Sequence, residues 1–72
     1  MSENKVKIRE GEDYITLNVL LKIVGVIPTG GMAKIYLQNN LVLVNNENEV
    51  RRGRKLYPGD AVLIEGIEYT IV

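Results

Sequence analysis

Two short alternations and one helical stripe organise the chain. Lys5-Val6-Lys7-Ile8-Arg9 alternates cation with aliphatic residue. A period of two predicts a half-buried strand with Val6 and Ile8 inward. Outward Lys and Arg suit an edge strand, where they discourage unwanted pairing. Glu10-Gly11-Glu12-Asp13 reads as a turn or loop. Leu17, Leu20, Leu21 and Val24 then recur at i, i+3, i+4 and i+7. That spacing predicts a helix over 17–24, with Val19 and Ile23 widening its apolar stripe. Thr16 stands at the N-cap position. Gly25 suits the left-handed residue past the C-terminus, and Pro28 blocks continuation.

Thr29 is the next N-cap candidate. Gly30-Gly31-Met32-Ala33-Lys34-Ile35-Tyr36-Leu37-Gln38-Asn39 follows as a short second helix. Two glycines in a first turn are poor helix formers, each costing about 1 kcal/mol against Ala. They either permit close packing or let something approach the backbone. Asn39-Asn40 should end the helix, because Asn tolerates positive φ. Leu41-Val42-Leu43-Val44 then reads as a strand, Asn45 to Asn48 as a polar turn, and Glu49-Val50 as the start of the return strand. Tyr57-Pro58-Gly59-Asp60 has the Pro and Gly placement of a type II turn. Ala61 to Glu65 and Ile67 to Val72 close the chain as two strands broken at Gly66. The organisation is β, α, α, then several strands, without internal repeat or linker. The fold class is α+β: two short helices on a small, largely antiparallel sheet.

Composition narrows the chemistry. Seventy-two residues make one small domain, read here as residues 1–72,. A chain this short buries only about 60% of its unfolded surface. The 46% apolar content argues for a folded globule,. There is no cysteine and no histidine. Disulfides, thiolate metal sites and the usual general base are thereby removed. No catalytic residue is assigned, no metal or cofactor is expected, and the chain is read as no enzyme. No apolar run approaches a membrane span, and the polar start Met1-Ser2-Glu3-Asn4-Lys5 lacks a signal-peptide core,. The expectation is a cytoplasmic protein with no membrane partner.

Charge changes the picture most. The chain is formally neutral, yet Arg51-Arg52-Gly53-Arg54-Lys55 packs four of its nine cations into five residues. Residues 14–59 carry Lys22, Lys34, Arg51, Arg52, Arg54 and Lys55 against Glu47 and Glu49, a net +4. The segments on either side are net negative. A basic run of this kind is either a solvated loop or a patch that attracts a polyanion, most often nucleic acid. As a surface run, Arg51, Arg52 and Arg54 should each be replaceable by Ala within about 0.5 kcal/mol.

Three features could cooperate on a phosphate. A helix N-terminus at Thr29-Gly30-Gly31 would offer free N–H groups without side chains in the way. Lys34 lies one turn into that helix, with Gln38 at i+4 on the same face. Arg51, Arg52, Arg54 and Lys55 form the third feature, arginine making forked contacts and lysine a point charge. Each has a plainer reading: glycines that admit a neighbour, a solvated lysine, a solvated loop. Tyr36 and Tyr57 could stack on bases or simply line the core rim. Gly31-Met32-Ala33-Lys34 is no nucleotide-triphosphate loop, because Ile35 follows the lysine and a helix precedes,.

The order of these motifs resembles the RNA-binding domain named after ribosomal small-subunit protein four, the S-four domain. Thr29, Ala33-Lys34, Val44-Asn45 and Gly59-Asp60 follow its pattern in order. The chain is closer still to small stand-alone bacterial S-four proteins of the YaaA type. The matching segments are Thr16-Leu17, Gly30-Gly31-Met32-Ala33-Lys34, Val42-Leu43-Val44-Asn45, Arg51 to Tyr57, and Gly59-Asp60. The resemblance covers about residues 14–66. It implies the family's αL motif and a non-catalytic RNA-binding module. By position it points to Thr29, Gly30, Gly31, Lys34, Gln38, Arg51, Arg52, Arg54 and Lys55, with Lys22 a weaker candidate. Structured RNA is the implied partner. By analogy this is ribosomal RNA during assembly or translation, with ribosomal subunits or assembly proteins as further partners. The terminal strands are expected to complete the sheet. Asn46-Glu47-Asn48-Glu49 departs from the Asn-Gly turn common in that domain and makes the hairpin tip more acidic.

The alternative is a β-grasp-like protein-interaction module without RNA binding. Val44-Asn45 and Pro58-Gly59-Asp60 before a terminal strand also suit the small sulfur carriers of that fold. Those end in Gly-Gly, whereas this chain ends Thr70-Ile71-Val72. Carrier chemistry is excluded if Val72 is the true terminus.

Overall fold

The computed structural model of the protein describes residues 4–72. Seven strands, two helices and one 3-10 turn follow each other among these residues. They are β1 (Asn4–Val6), β2 (Ile15–Thr16), α1 (Leu17–Ile23), the 3-10 turn Gly30–Met32 and α2 (Ala33–Asn39), then β3 (Val42–Val44), β4 (Glu47–Asn48), β5 (Lys55–Leu56), β6 (Ala61–Ile64) and β7 (Ile67–Ile71). Five strands form one sheet in the order β1-β7-β6-β3-β4. Its pairings are antiparallel except β1–β7, which is parallel. A separate two-stranded ribbon pairs β2 with β5, Ile15 opposite Leu56 and Thr16 opposite Lys55. The class is α+β, as the residue pattern predicts.

The alternation at the start of the chain buries Val6 and Ile8. Pairing extends past β1, where the Val72 N–H donates to the Val6 carbonyl and the Ile8 N–H donates to the Val72 carbonyl. The first helix buries Leu17, Leu20 and Leu21 completely. Val19 and Val24 are half-buried. Ile23 departs from the predicted stripe: it is 55% exposed and lines an open surface concavity with Lys7, Arg9, Tyr14 and Val19. α1 ends in a Schellman motif. The Val26 N–H donates to the Leu21 carbonyl, the Gly25 N–H to the Lys22 carbonyl, and Gly25 takes φ +87°,.

The second helix is shorter than the pattern predicts. Gly30–Met32 form a single 3-10 turn in which the Met32 N–H donates to the Thr29 carbonyl, and the α-helix starts only at Ala33. Two adjacent glycines lose too much backbone freedom to carry the first α-turn. Neither Thr16 nor Thr29 caps a helix with its side chain. At the far end, Asn40 is extended at φ −136°, so positive φ does not terminate α2. Instead the Asn39 and Asn40 amides donate to the Ile35 and Tyr36 carbonyls, satisfying acceptors that helix ends leave open,.

The β3–β4 hairpin also differs from expectation. Its turn is only Asn45-Asn46, at φ 52° and 70°. The return strand is therefore Glu47–Asn48, paired with Leu43 and Val44. This is the type I′ geometry, whose twist matches the flanking strands and which Asn tolerates. Asn45 and Asp60 then lock the hairpin to the turn before β6. The Asn45 amide donates to an Asp60 carboxylate oxygen at 3.1 Å, and the Ala61 N–H donates to the Asn45 side-chain oxygen at 3.0 Å. The other Asp60 oxygen accepts from the Tyr57 N–H at 2.7 Å. Gly59 supplies the positive φ (98°) that the second central position of a type II turn needs,. Leu56, Ile64, Ile71, Val42, Val44 and Val62 complete the buried core under the two helices.

Candidate nucleic-acid interface

The basic run is not a free loop. It begins at Glu49, which follows β4 and continues its pairing: the Glu49 N–H donates to the Val42 carbonyl at 2.9 Å. Glu49 turns inward and is only 5% exposed, the one buried charged residue among those described. A buried carboxylate must be paired and hydrogen-bonded. Arg51 supplies a forked contact, Nε to Oε2 at 3.0 Å and Nη2 to Oε1 at 3.1 Å, and its backbone N–H adds a third bond at 2.9 Å. Arg54 Nη1 donates to Oε1 at 2.7 Å. The Arg51 side-chain hydrogen bonds lower the Glu49 pKa most. Burial opposes them, and the Arg51 N–H and Arg54 add to the lowering, which leaves it at about 2. The same hydrogen bond raises the already high pKa of Arg51.

Between these two arginines the chain makes a tight turn, with the Arg54 N–H donating to the Arg51 carbonyl at 3.2 Å. The turn is docked on α1. The Leu17 N–H donates to the Arg54 carbonyl and the Asn18 N–H to the Arg52 carbonyl, both at 2.9 Å. Backbone carbonyls of the basic turn therefore do the capping that the Thr16 side chain does not. The Thr16 hydroxyl donates to the Asn18 side-chain oxygen instead. Glu49 was counted from sequence as a charge diluting the patch; it is the residue around which the patch folds. The triple replacement of Arg51, Arg52 and Arg54 by Ala is consequently no surface change. It would leave the Glu49 carboxylate buried without its guanidinium partners, a mechanism of large destabilisation.

Arg51, Gly53, Arg54, Lys55 and Tyr57 line one shallow depression. Its one aromatic wall, Tyr57, packs on the ring of Tyr14, which lines a neighbouring concavity. The Tyr14 and Tyr57 rings lie 5.7 Å apart, tilted by 52°, and the Lys55 ammonium sits 5.1 Å from the Tyr14 ring centroid. Tyr14 was not singled out by sequence, since it lies in no motif and meets Lys55 only through the β2–β5 ribbon. Arg52 is exposed at the corner of the turn, and its side chain makes no hydrogen bond or ion pair with the described residues.

The glycine pair reaches this region through α1. A Cβ on Gly30 would meet Asn18 Nδ2 at 3.6 Å and Lys22 Cδ at 3.8 Å, and one on Gly31 would meet only its neighbour's Thr29 Oγ1 at 3.8 Å. These are ordinary contacts, and neither residue has positive φ. Packing against a neighbour therefore does not require glycine at either position. Asn18 thus stands between Gly30, which its side chain approaches, and the Arg52 carbonyl, which its N–H contacts. Thr29, next to Gly30, and Lys34, in the first turn of α2, are both exposed. Gln38 is placed elsewhere and lines a different concavity with Asn39, Asn40, Leu41, Asn48 and Val50. Tyr36 is half-buried, and its hydroxyl donates to Glu65 at 2.7 Å. Burial and this carboxylate push its pKa to about 12.

No group of acidic side chains that could hold a metal ion occurs among the described residues. No helix there is long and apolar enough to cross a membrane. Over 54 residues the chain is 57% identical to the "Probable ribosome maturation protein RlbA" of Bacillus subtilis (strain 168), an overlap of 75% of this chain and 76% of that protein. The model of the S4 domain matches residues 6–72, nearly the whole chain, and the chain accordingly belongs to the S4-domain family.

Proposed function

We propose that this protein is a non-catalytic RNA-binding protein that docks a basic face on structured RNA, and that the RNA is ribosomal. It acts in the cytoplasm, in ribosome assembly or translation. The face comprises Thr29, Gly30, Gly31 and Lys34 around the start of α2, and Arg51, Arg52, Arg54 and Lys55 on the docked turn, while Gln38, first expected on it, lies in the separate concavity. The observation that carries the reading is the ordered basic turn on a neutral chain, pinned at both ends before any ligand arrives. A fixed array of cations loses less entropy on meeting a phosphate backbone than a mobile run does. The family and the name of the Bacillus subtilis relative support RNA and the ribosome as partners.

Phosphate contacts make affinity fall with salt, with a slope of roughly 0.7–0.9 per contact in a log–log plot. The test is co-sedimentation with ribosomal subunits and with free ribosomal RNA over a salt series. The variant to run alongside is Lys34→Ala/Arg52→Ala, which removes two exposed cations that have no partner among the described residues. Salt-sensitive binding that the variant weakens, with a shallower slope, is expected. Unchanged binding in the variant would overturn the assigned face. No binding to any RNA at low salt would overturn the RNA reading and favour the protein-interaction module.

A further inference from the structure

Within a run of four cations, the environments are unequal. Arg51 has its Nε and Nη2 edge occupied by both Glu49 oxygens. That edge is the one with which arginine grips a phosphate in forked fashion. Arg54 is 29% exposed in its side chain and has its shortest contact, 2.7 Å, on the same carboxylate. The Arg52 side chain has no such commitment, and the exposed Lys55 ammonium has no carboxylate partner among the described residues and lies only over the Tyr14 ring. The carboxylate also governs the backbone. The two arginines it holds flank the turn whose carbonyls, Arg52 and Arg54, receive the first two N–H groups of α1.

We propose that Glu49 is the positioning residue of the RNA-facing turn: it fixes Arg51 and Arg54 as internal struts, so that Arg52 and Lys55 are presented to phosphate. The proposal rests on the RNA-binding reading above. It inverts the simple electrostatic expectation. A carboxylate beside a polyanion site repels the polyanion, so charge alone makes its removal favourable. If Glu49 organises the turn, its removal disorders the cations and weakens binding although the net charge rises.

Two readouts separate this idea from the RNA reading. The first needs no RNA: hydrogen exchange of the Leu17 and Asn18 amides, which report docking of the turn on α1. In Glu49→Gln these amides should lose protection while the Leu21 amide inside the helix keeps it. The second is affinity for ribosomal RNA at fixed salt. Glu49→Gln should bind roughly tenfold more weakly or worse, the scale of losing one charge-assisted contact. Arg51→Lys keeps every charge and removes only the fork, so it should mimic Glu49→Gln in both readouts, and it serves if the Gln variant folds poorly. Arg9→Lys, a charge-conserving change at an exposed arginine outside the assigned face, should stay within about twofold of wild type,. Glu49→Gln binding as tightly as wild type or tighter would overturn the proposal. Arg51→Lys behaving like Arg9→Lys, with Leu17 and Asn18 still protected, would overturn it too. A wild-type protein that binds no RNA defeats the functional reading alone, because the amide protection still judges the strut.

Discussion

Acid should release Glu49 in a pH window that its surroundings define. Its pKa falls from an ordinary 4.5 when unfolded to about 2 in the folded chain. Between those values the unfolded chain binds more protons, so folding stability rises with pH. The contribution is complete above about 4.5 and is lost as pH falls through 2. At about 1.4 kcal/mol per pH unit the ceiling is about 3 kcal/mol. Arg51, its principal partner, is 73% exposed, so solvent screening reduces the net contribution to about 1–2 kcal/mol,. For a chain of this length that remains a sizeable part of a total of roughly 4–10 kcal/mol. The assay is urea unfolding of wild type and Glu49→Gln at pH 7, 4, 3 and 2. The stability gap between them should be full at pH 7, persist in part at pH 3 and close towards pH 2,. A gap as wide at pH 2 as at pH 7 would refute the reasoning, because the cost would then not come from the charge. A gap already gone at pH 4 would equally refute it, placing the carboxylate in water.

Three further outcomes are expected. Leu20→Ala removes a fully buried side chain and should cost about 2–5 kcal/mol, lowering Tm by roughly 10 °C or more; an unchanged Tm would remove Leu20 from the core,. Asn46→Gly places the preferred residue in the second position of the type I′ turn (φ 70°) and should raise Tm, whereas Asn46→Val should lower it,. In a spectrophotometric titration one tyrosine should ionise near pH 12, and Tyr36→Phe should delete that step; its survival would assign the late titration to another ring.

Features encoded within a few residues were legible in the sequence. The period-two alternation placed Val6 and Ile8 inside, and the 3.6-residue spacing placed Leu17, Leu20 and Leu21. Gly25 and the Pro58-Gly59 turn were readable because the backbone there needs conformations that few residues adopt,. Asn45, Gly59 and Asp60 were recognised as a family signature, and the structure supplies their physical role as a lock between hairpin and turn. The candidate cations were legible as a run of charge. Their division into struts and exposed groups was not, because it depends on where Glu49 points and which strand ends beside it.

The sequence by itself determined the class, the helix face, the turn sites and the location of positive charge, all consequences of local sterics and hydrophobic periodicity. Tertiary structure alone decided the parallel pairing of β1 with β7, the β2–β5 ribbon, the exposure of Ile23 and the meeting of Tyr14 with Lys55. It also decided that a lone carboxylate in a basic run becomes that run's anchor. The reason is one of environment. In water a glutamate merely dilutes nearby positive charge. Removed from water, it must be satisfied by hydrogen bonds, and the arginines that satisfy it are thereby fixed in place.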